Sequence, residues 1–303
     1  MRPSPGGTTE DPALDAFLEH RSLVRRLAYD ITGSVQDAED VAQEAYLKWR
    51  RADHAAIRDV RAYLARTATT LAVDRLRRQK RETYPGPWLV EPIPTGPDAP
   101  DAEDLAVRAE EIEHALLLAL HELSVRERSA FLLHDVFSFG FAEVARILGS
   151  TPAAARQQAS RARRRLRAIP VHAVAEGPAT EQERRLLAAF SAAIRDADPA
   201  ALIDLVAEDV RLVTDGGGKV TAARVPILGR DKVLRFLGGL LERYAGRVQA
   251  HPCRMNHRPG FLVTLDGALD QALVVHTDPS ARIREISIVR NPEKLRHLRA
   301  LVP

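Results

Sequence analysis

A proline-rich segment sets the strongest limit on how this chain can fold. Residues 84–100 contain six prolines and two glycines. Proline fixes its own φ angle and lacks the amide hydrogen that a helix interior or a central strand requires. Continuous regular structure is therefore excluded there, and we predict a linker over residues 83–104. Because 303 residues suffice for two or three domains, this linker is expected to separate independently folded parts.

Helical periodicity occurs on both sides of the linker. Apolar residues recur at helical spacing from residue 11 to 82 and again from about residue 101 to 168. Beyond a second break near Pro170 and Pro178, helix-like stretches at 180–197 and 231–244 alternate with β-rich runs at 210–214, 220–225, 261–265, 272–276 and 283–289. This order predicts a multidomain protein: two all-α domains over residues 11–82 and 105–169, then an α+β domain over 178–303 with mainly antiparallel strands.

Two dense clusters of basic residues stand out against a net charge of only +3. The first has five cations within seven residues, and the second has six arginines within twelve, with no acid in either window. Their members are Arg75, Arg77, Arg78, Lys80 and Arg81, and Arg156, Arg161, Arg163, Arg164, Arg165 and Arg167. Like charges at this density repel one another unless a polyanion neutralises them, although a solvated helix face is the alternative.

The second cluster lies on a predicted helix-turn-helix. Val144, Ala145 and Leu148 would form the inner face of a first helix that Gly149 ends. Thr151 suits the N-cap of the next helix, and Pro152 suits its first position. An apolar stripe then follows at Ala155, Ala159, Ala162 and Leu166. The face predicted to bind DNA comprises Ala153, Arg156, Gln157, Ser160, Arg161, Arg164 and Arg165. An ordinary helical hairpin with a charged face is the alternative.

The first helical domain carries an acidic string that the helix dipole alone does not explain. Residues 37–49 place Asp37, Asp40, Gln43 and Glu44 on one face, opposite an apolar face. This string resembles region 2.2 of extracytoplasmic-function sigma factors, which implies that those four residues bind the β′ clamp helices of core RNA polymerase.

The stretch that follows extends the resemblance. Residues 60–78 resemble the helix of the same family that binds the −10 promoter element. The implied DNA-binding residues are Arg66, Arg75, Arg77, Arg78, Lys80 and Arg81, and the preceding loop, about 51–59, would hold an unstacked base. Residues 101–167 resemble sigma domain 4, which implies binding to −35 promoter DNA and to the β flap of the polymerase.

The resemblance implies an alternative sigma factor that directs core RNA polymerase to specific promoters. The alternative function is a one-component helix-turn-helix regulator with a ligand-binding C-terminal domain. Residues 37–81 discriminate between the two, because such a regulator would have no need of them.

The α+β domain resembles the SnoaL-like family, a cone of helices against a curved sheet, and three short strings place the chain with sigma factors that carry this fusion. They are Trp88-Leu89-Val90-Glu91-Pro92, Asp215-Gly216-Gly217-Gly218-Lys219 and Asn291-Pro292-Glu293-Lys294-Leu295. The resemblance implies that the fused domain modulates sigma activity in cis. The expected regulatory contacts are Trp88, Leu89, Glu91, Pro92, Asp215, Gly216, Gly217, Gly218, Lys219, Asn291, Pro292, Lys294 and Leu295.

Two of these strings also have a local structural interpretation. The triple glycine predicts a tight hairpin between 210–214 and 220–225, and Asn291-Pro292 predicts the start of a final helix that runs through Leu298. A plain hairpin needs no flanking Asp and Lys. We therefore expect the glycine turn also to contact the linker or the first domain.

Enzymatic activity is not expected of the C-terminal domain. Related cones include polyketide cyclases that use Asp and His in acid/base catalysis, and this domain offers His251, His257, Asp266, Asp270 and His276, but no spacing among them specifies a site. No cofactor or metal is predicted, while the pocket of the cone is a candidate site for an unidentified small molecule. The single cysteine and the lack of an apolar N-terminal run predict a cytoplasmic protein that does not associate with membranes.

Overall fold

The computed structural model describes residues 12–79, 86–95, 119–120, 123–168, 181–278 and 280–302. The first domain has three helices, α1 (Pro12–Thr32), α2 (Val35–Arg50) and α3 (Val60–Gln79), with a 3₁₀ turn at His54–Ala56. Ser34 caps α2 by accepting a hydrogen bond from the amide of Asp37 at 3.1 Å. The apolar faces of the helices meet around Leu27, Val41 and Leu64, all of which are fully buried.

The second domain contains α4 (Val125–Phe131), a π-helical turn (Leu132–Val136), α5 (Phe141–Leu148) and α6 (Pro152–Ala168). It packs directly on α3, so the two helical domains share one continuous hydrophobic core. Buried Arg128 donates hydrogen bonds to the carbonyls of Ile31, in the first domain, and Leu120. Arg61 of α3 likewise donates to the carbonyl of Phe137 at 2.6 Å. The helical domains therefore form one packed unit in this structure.

The C-terminal domain is a six-stranded sheet with two helices against one face. Its elements are α7 (Glu181–Arg195), a 3₁₀ helix (Ala200–Leu205), β1 (Val206–Asp215), β2 (Ile227–Leu228), α8 (Arg230–Arg243), β3 (Val248–Met255), β4 (Arg258–Leu265), β5 (Ala268–Thr277), β6 (Ile283–Val289) and a 3₁₀ helix (Arg296–Leu301). The strand order is β2-β1-β6-β5-β4-β3, and every neighbouring pair is antiparallel except β1 and β6.

Both faces of this sheet are covered, but by different partners. On one face Phe261 and Val263 pack against α7 and α8. On the other face Leu262 packs with Leu89 of the linker and Leu298 of the C-terminal segment. Side chains alternate between the two faces of a strand, so β4 is buried along almost its whole length. The linker is therefore part of the packing of the third domain.

Three expectations for this domain are corrected. The run 220–225 is not a strand. The Thr214 hydroxyl accepts from the amide of Ala223 and donates to its carbonyl, so these backbone groups do not pair with the backbone of β1. β1 pairs instead with β2, so the tight hairpin is replaced by a longer connection. Strand β3 was not predicted; it is an edge strand, where Pro252 is tolerated. The final helix is a 3₁₀ helix that begins at Arg296 rather than an α-helix from Pro292.

Candidate DNA-binding surface and linker-docking site

The predicted helix-turn-helix is present in α5 and α6. Gly149 ends α5 in the left-handed conformation, with φ 60° and ψ 46°. The hydroxyl of Thr151 then accepts from the amide of Ala154 at 3.2 Å, as expected of an N-cap. The stripe formed by Ala155, Ala159, Ala162 and Leu166 is buried. Local capping signals and one apolar stripe thus determine both the turn and the face that α6 turns outward.

The outward face of α6 carries the residues predicted to bind −35 DNA. Six of them are exposed, namely Ala153, Arg156, Gln157, Arg161, Arg164 and Arg165, and Ser160 is half-buried. The Arg156 guanidinium lies 5.2 Å from the ring centre of Phe141, which orients it from α5. Arg165 donates to Glu127 at 3.0 Å, so it also ties α6 to α4. The face presents cations and one amide to solvent, as a major-groove reading helix requires.

The acidic face of α2 has a partner within the chain. Arg75, on α3, lies 3.5 Å from Asp37, 3.4 Å from Asp40 and 3.4 Å from Glu44. The sequence predicts that Arg75 binds −10 DNA, whereas in the structure its guanidinium faces these carboxylates, because α3 packs across α2. Gln43 is exposed on the same helix. The acidic face is therefore partly neutralised before any partner binds.

The remaining residues predicted to bind −10 DNA are only partly described. Arg66 is exposed on α3. Arg77 and Arg78 lie on α3 with side chains outside what the structure describes, and Lys80 and Arg81 lie outside the described residues. In the preceding loop, the His54 ring stacks on Trp49 with ring centres 4.2 Å apart. This contact orders the loop at the end of α2.

The three short strings meet at one buried site, although they are far apart in sequence. Asp215 Oδ2 accepts from the Leu89 amide at 2.9 Å and from Lys294 Nζ at 2.8 Å. The same ammonium donates to the carbonyl of Leu89 and lies 3.9 Å from the ring centre of Trp88. We call Trp88, Leu89, Asp215 and Lys294 the linker anchor. Each string contributes to it, so the linker is held by the third domain.

The next linker residues bind the first domain. Glu91 Oε2 accepts from the amide of Val35, the first residue of α2, at 2.8 Å. The Glu91 amide donates to the carbonyl of Gly33 at 2.8 Å, and the Tyr29 hydroxyl donates to the Glu91 carbonyl at 2.7 Å. The linker therefore caps the helix that carries the acidic face.

Asn256, in the turn between β3 and β4, connects the third domain to both the linker and the first domain. Its Nδ2 donates to the Tyr29 hydroxyl at 2.9 Å, and its Oδ1 accepts from the Ile93 amide at 3.0 Å. His297 contacts the carbonyl of Pro92 at 2.8 Å. The sequence-based prediction missed Tyr29, Asn256 and His297, because a helical tyrosine and a turn asparagine carry no local signal of a contact between domains.

Two glycines of the second string are required by close approach. A Cβ on Gly216 would lie 2.5 Å from the carbonyl oxygen of Val220, and one on Gly217 would lie 2.3 Å from Nδ2 of Asn291. Gly217 also has φ 60°, which L side chains rarely adopt. Lys219 forms an ion pair with Glu293 at the surface. The glycine turn thus packs against the third string.

Burial shifts the pKa values of three groups at this site. It raises the pKa of the Glu91 carboxyl, against hydrogen bonds from Ser34 and Val35. It lowers the pKa of the Lys294 ammonium, an effect that the facing Asp215 carboxylate opposes. The pKa of Tyr29 is raised for the same reason of burial. Burial therefore disfavours the charged form of each group, and the hydrogen bonds to Glu91 and the carboxylate facing Lys294 offset part of this cost.

The candidate acid/base residues of the cone do not assemble into one site. Asp266 pairs with Arg247 on the surface, and His251 lies 3.3 Å from the Thr264 hydroxyl. Of the five candidates, Asp270 alone lines the cavity between the sheet and α8, and it pairs with Arg290 at 2.8 Å.

Among the described helices, none is both long and apolar enough to cross a membrane.

Comparison with known proteins covers all three domains. Residues 16–82 match the family described as Sigma-70 region 2, and residues 113–166 match the family described as Sigma-70, region 4. The chain is 41% identical to the ECF RNA polymerase sigma factor SigJ of Mycobacterium tuberculosis over 226 residues, 74% of this chain and 72% of SigJ. It is 28% identical to the probable ECF RNA polymerase sigma factor SigI of the same species over 295 residues, 96% of this chain and 97% of SigI.

The fold is shared as well. The crystal structure of the M. tuberculosis extracytoplasmic function sigma factor SigJ matches with a TM-score of 0.73 at 33% identity, covering 93% of this chain and 98% of that chain. The predicted fold class, two helical domains followed by an α+β SnoaL-like cone, is confirmed.

Proposed function

The chain belongs to the extracytoplasmic-function sigma factors of RNA polymerase, and we propose that its C-terminal domain regulates it in cis by holding the linker on the first domain. As an alternative sigma factor it binds core RNA polymerase and promoter DNA. Its relatives are transcription factors rather than enzymes. Region 2 has no place in a one-component regulator, which disfavours that alternative.

The polymerase and promoter contacts follow from the surfaces described above. We assign Asp37, Asp40, Gln43 and Glu44 to docking on the β′ clamp helices, with Arg75 setting the local charge of that surface. The outward face of α6 reads the −35 element, and the second domain meets the β flap. The basic end of α3 binds the −10 element. Residues 83–104 act as a linker between domains 11–82 and 105–169, and 178–303 is the regulatory domain.

One observation carries the regulatory proposal: the linker is fixed to the third domain by the linker anchor and to the first domain by Glu91. Glu91 caps the first amide of α2, which carries the acidic face. A shift of the linker would free that cap and disturb the α1–α2 turn. The C-terminal domain therefore supports the polymerase-binding form of the first domain.

The test is transcription and polymerase binding with the full-length chain. Glu91→Ala removes the acceptor for the first amide of α2 and leaves the Ser34 cap in place. Its matched control is Glu293→Ala, which removes an exposed carboxylate and its surface ion pair with Lys219. We expect Glu91→Ala to weaken core polymerase affinity about tenfold, the loss of a cap worth roughly 1 to 2 kcal/mol, and to lower transcription from a cognate promoter. The control should change neither.

Trp88→Ala tests the same proposal from the other end of the linker, since it loosens the linker anchor but leaves the Glu91 carboxylate that accepts from the Val35 amide. It should lower core affinity in the same direction. If both variants retain wild-type transcription, core affinity and promoter affinity, regulation in cis through the linker is excluded.

A further inference from the structure

The acidic face of α2 shares one cation with α3. The three nitrogens of the Arg75 guanidinium each face a different carboxylate of α2. Nε lies 3.5 Å from Asp37, Nη2 lies 3.4 Å from Asp40, and Nη1 lies 3.4 Å from Glu44. The Asp40 and Glu44 side chains remain 42% and 45% exposed, whereas that of Arg75 is 21% exposed. The guanidinium thus contacts the acids from the α3 side and leaves two of them open to a partner.

Helix geometry explains why a cation is favourable at this position. Asp37, Asp40 and Glu44 follow one another at i, i+3 and i+7, so they lie along one side of α2. Like charges at this spacing repel one another. Leu76 is buried in the core, which places its neighbour Arg75 at the edge of the contact between α2 and α3. A cation from α3 therefore offsets part of the repulsion within α2.

The contacts of Arg75 differ from those of a close ion pair. Charge-assisted N–H···O bonds are about 2.7 to 2.9 Å long, and a strong arginine–carboxylate pair makes two parallel bonds to one carboxylate. Arg75 instead divides its nitrogens among three carboxylates at 3.4 to 3.5 Å. By comparison, Arg254 pairs with Glu183 at 3.0 Å. Partly exposed pairs at long distance are weak, so Arg75 can give up a carboxylate at little cost.

We infer that Arg75 is an internal counter-ion that competes with the polymerase for the acidic face and thereby weakens docking. A surface that binds these carboxylates must itself present Arg or Lys. Its cations meet three carboxylates and one guanidinium, with a net charge of −2 instead of −3 for the acids alone. The like charge of Arg75 also opposes their approach. This competition rests on the proposed docking of the acidic face on the polymerase.

Competition and a purely structural role of Arg75 predict opposite results. If Arg75 only held the carboxylates in place, its loss would disorder them and weaken polymerase binding. If Arg75 competes with the polymerase, its loss exposes the full charge of the acids and strengthens binding. Because this gain is electrostatic, salt should abolish it, whereas a packing defect would persist at high salt.

The test is binding of the full-length chain to core RNA polymerase. Arg75→Met removes the charge and keeps an aliphatic stem, and it should bind about threefold to fivefold more tightly at ~0.1 M salt, as the loss of a competing surface ion pair predicts. The gain should vanish as the salt approaches ~1 M, where the Debye length is about 3 Å. Arg75→Gln, which is also uncharged, should show the same gain, whereas Arg75→Lys should bind like the wild type. Lys232→Met removes one charge from an exposed position on α8 and should change nothing.

Asp40→Asn tests the docking face separately, because it removes an acid and should weaken core binding. If Asp40→Asn has no effect, the docking assignment itself fails. If Asp40→Asn weakens binding but Arg75→Met and Arg75→Gln bind core polymerase equally or more weakly than the wild type at low salt, the competition alone is overturned. A gain in Arg75→Met that salt leaves unchanged also overturns it.

Discussion

The ammonium of Lys294 lies 2.8 Å from Oδ2 of Asp215, and the two side chains are 7% and 0% exposed. They belong to strings that are 79 positions apart in sequence. An ion pair this deeply buried contributes little relative to an apolar pair, but breaking it strands a charge. The ion pair therefore acts mainly to position the linker, since the same Asp215 carboxylate also accepts from the Leu89 amide.

Lys294→Met should destabilise the C-terminal domain by about 3 to 5 kcal/mol, because it leaves the Asp215 carboxylate buried without its cation. Adding Asp215→Asn should recover part of the loss. Lys219→Met is the matched control, since its ion pair with Glu293 is about half exposed, and it should cost no more than about 1 kcal/mol. Urea unfolding of the three variants measures the differences, and equal losses for Lys294→Met and Lys219→Met would contradict the buried anchor.

Gly217→Ala should be more damaging than the backbone angle alone explains. An alanine at this position would have to adopt φ 60°, and its Cβ would collide with the side chain of Asn291. We expect a loss of about 2 to 4 kcal/mol from left-handed strain and overpacking together. Gly246→Ala has a similar φ of 72° with open space around it, so it should lose only about 1 to 2 kcal/mol. Thermal unfolding distinguishes the two, and similar losses would show that the contact with Asn291 is unimportant.

The outward face of α6 predicts two different DNA-binding defects. Arg156→Ala should relax preference at one position of the −35 element and cost about 1 to 3 kcal/mol there. Arg164→Ala should weaken binding to every sequence and reduce the salt slope by about 1. Arg165 is less suitable for this comparison because it also pairs with Glu127. Affinities for a set of −35 variants at several salt concentrations measure both effects, and no defect in either variant would exclude this face.

The stability of the first domain should depend on the ionisation of Asp30. Burial raises the pKa of this carboxyl to about 6, against the attraction of Arg26. The protonated form is therefore favoured in the folded state, so the destabilisation is absent below the unfolded pKa near 3.8 and complete above about 6.

Asp30→Asn removes this charge while retaining an acceptor for Arg26. It should stabilise the domain at pH 7 by on the order of 2 to 3 kcal/mol, with the gain shrinking as the pH falls from 6 to 4. Urea unfolding across this range measures the gain. Asp15→Asn, on the exposed side of α1, should leave the pH profile unaltered, and a gain independent of pH in Asp30→Asn would contradict the assignment.

Features that depend on interactions between neighbouring residues could be predicted from the sequence alone. Gly149, Thr151 and the stripe from Ala155 to Leu166 specify the helix-turn-helix through capping and helical spacing, and the prolines of residues 84–100 exclude regular structure there. The three short strings could be recognised as a set. Their local patterns alone indicated only a turn, a cap and a linker.

The contacts between distant residues depend on the tertiary structure and could not be predicted from local patterns. Leu89 lies 126 positions from Asp215 and 205 from Lys294, yet all three bind one another. Arg75 sits among basic residues in the sequence, but the packing of α3 across α2 turns it toward acids. The hydroxyl of Thr214 keeps residues 220–225 out of the sheet despite their β-rich composition. Hydrophobic periodicity and capping act over a few residues, whereas these contacts depend on which surfaces the folded domains bring together.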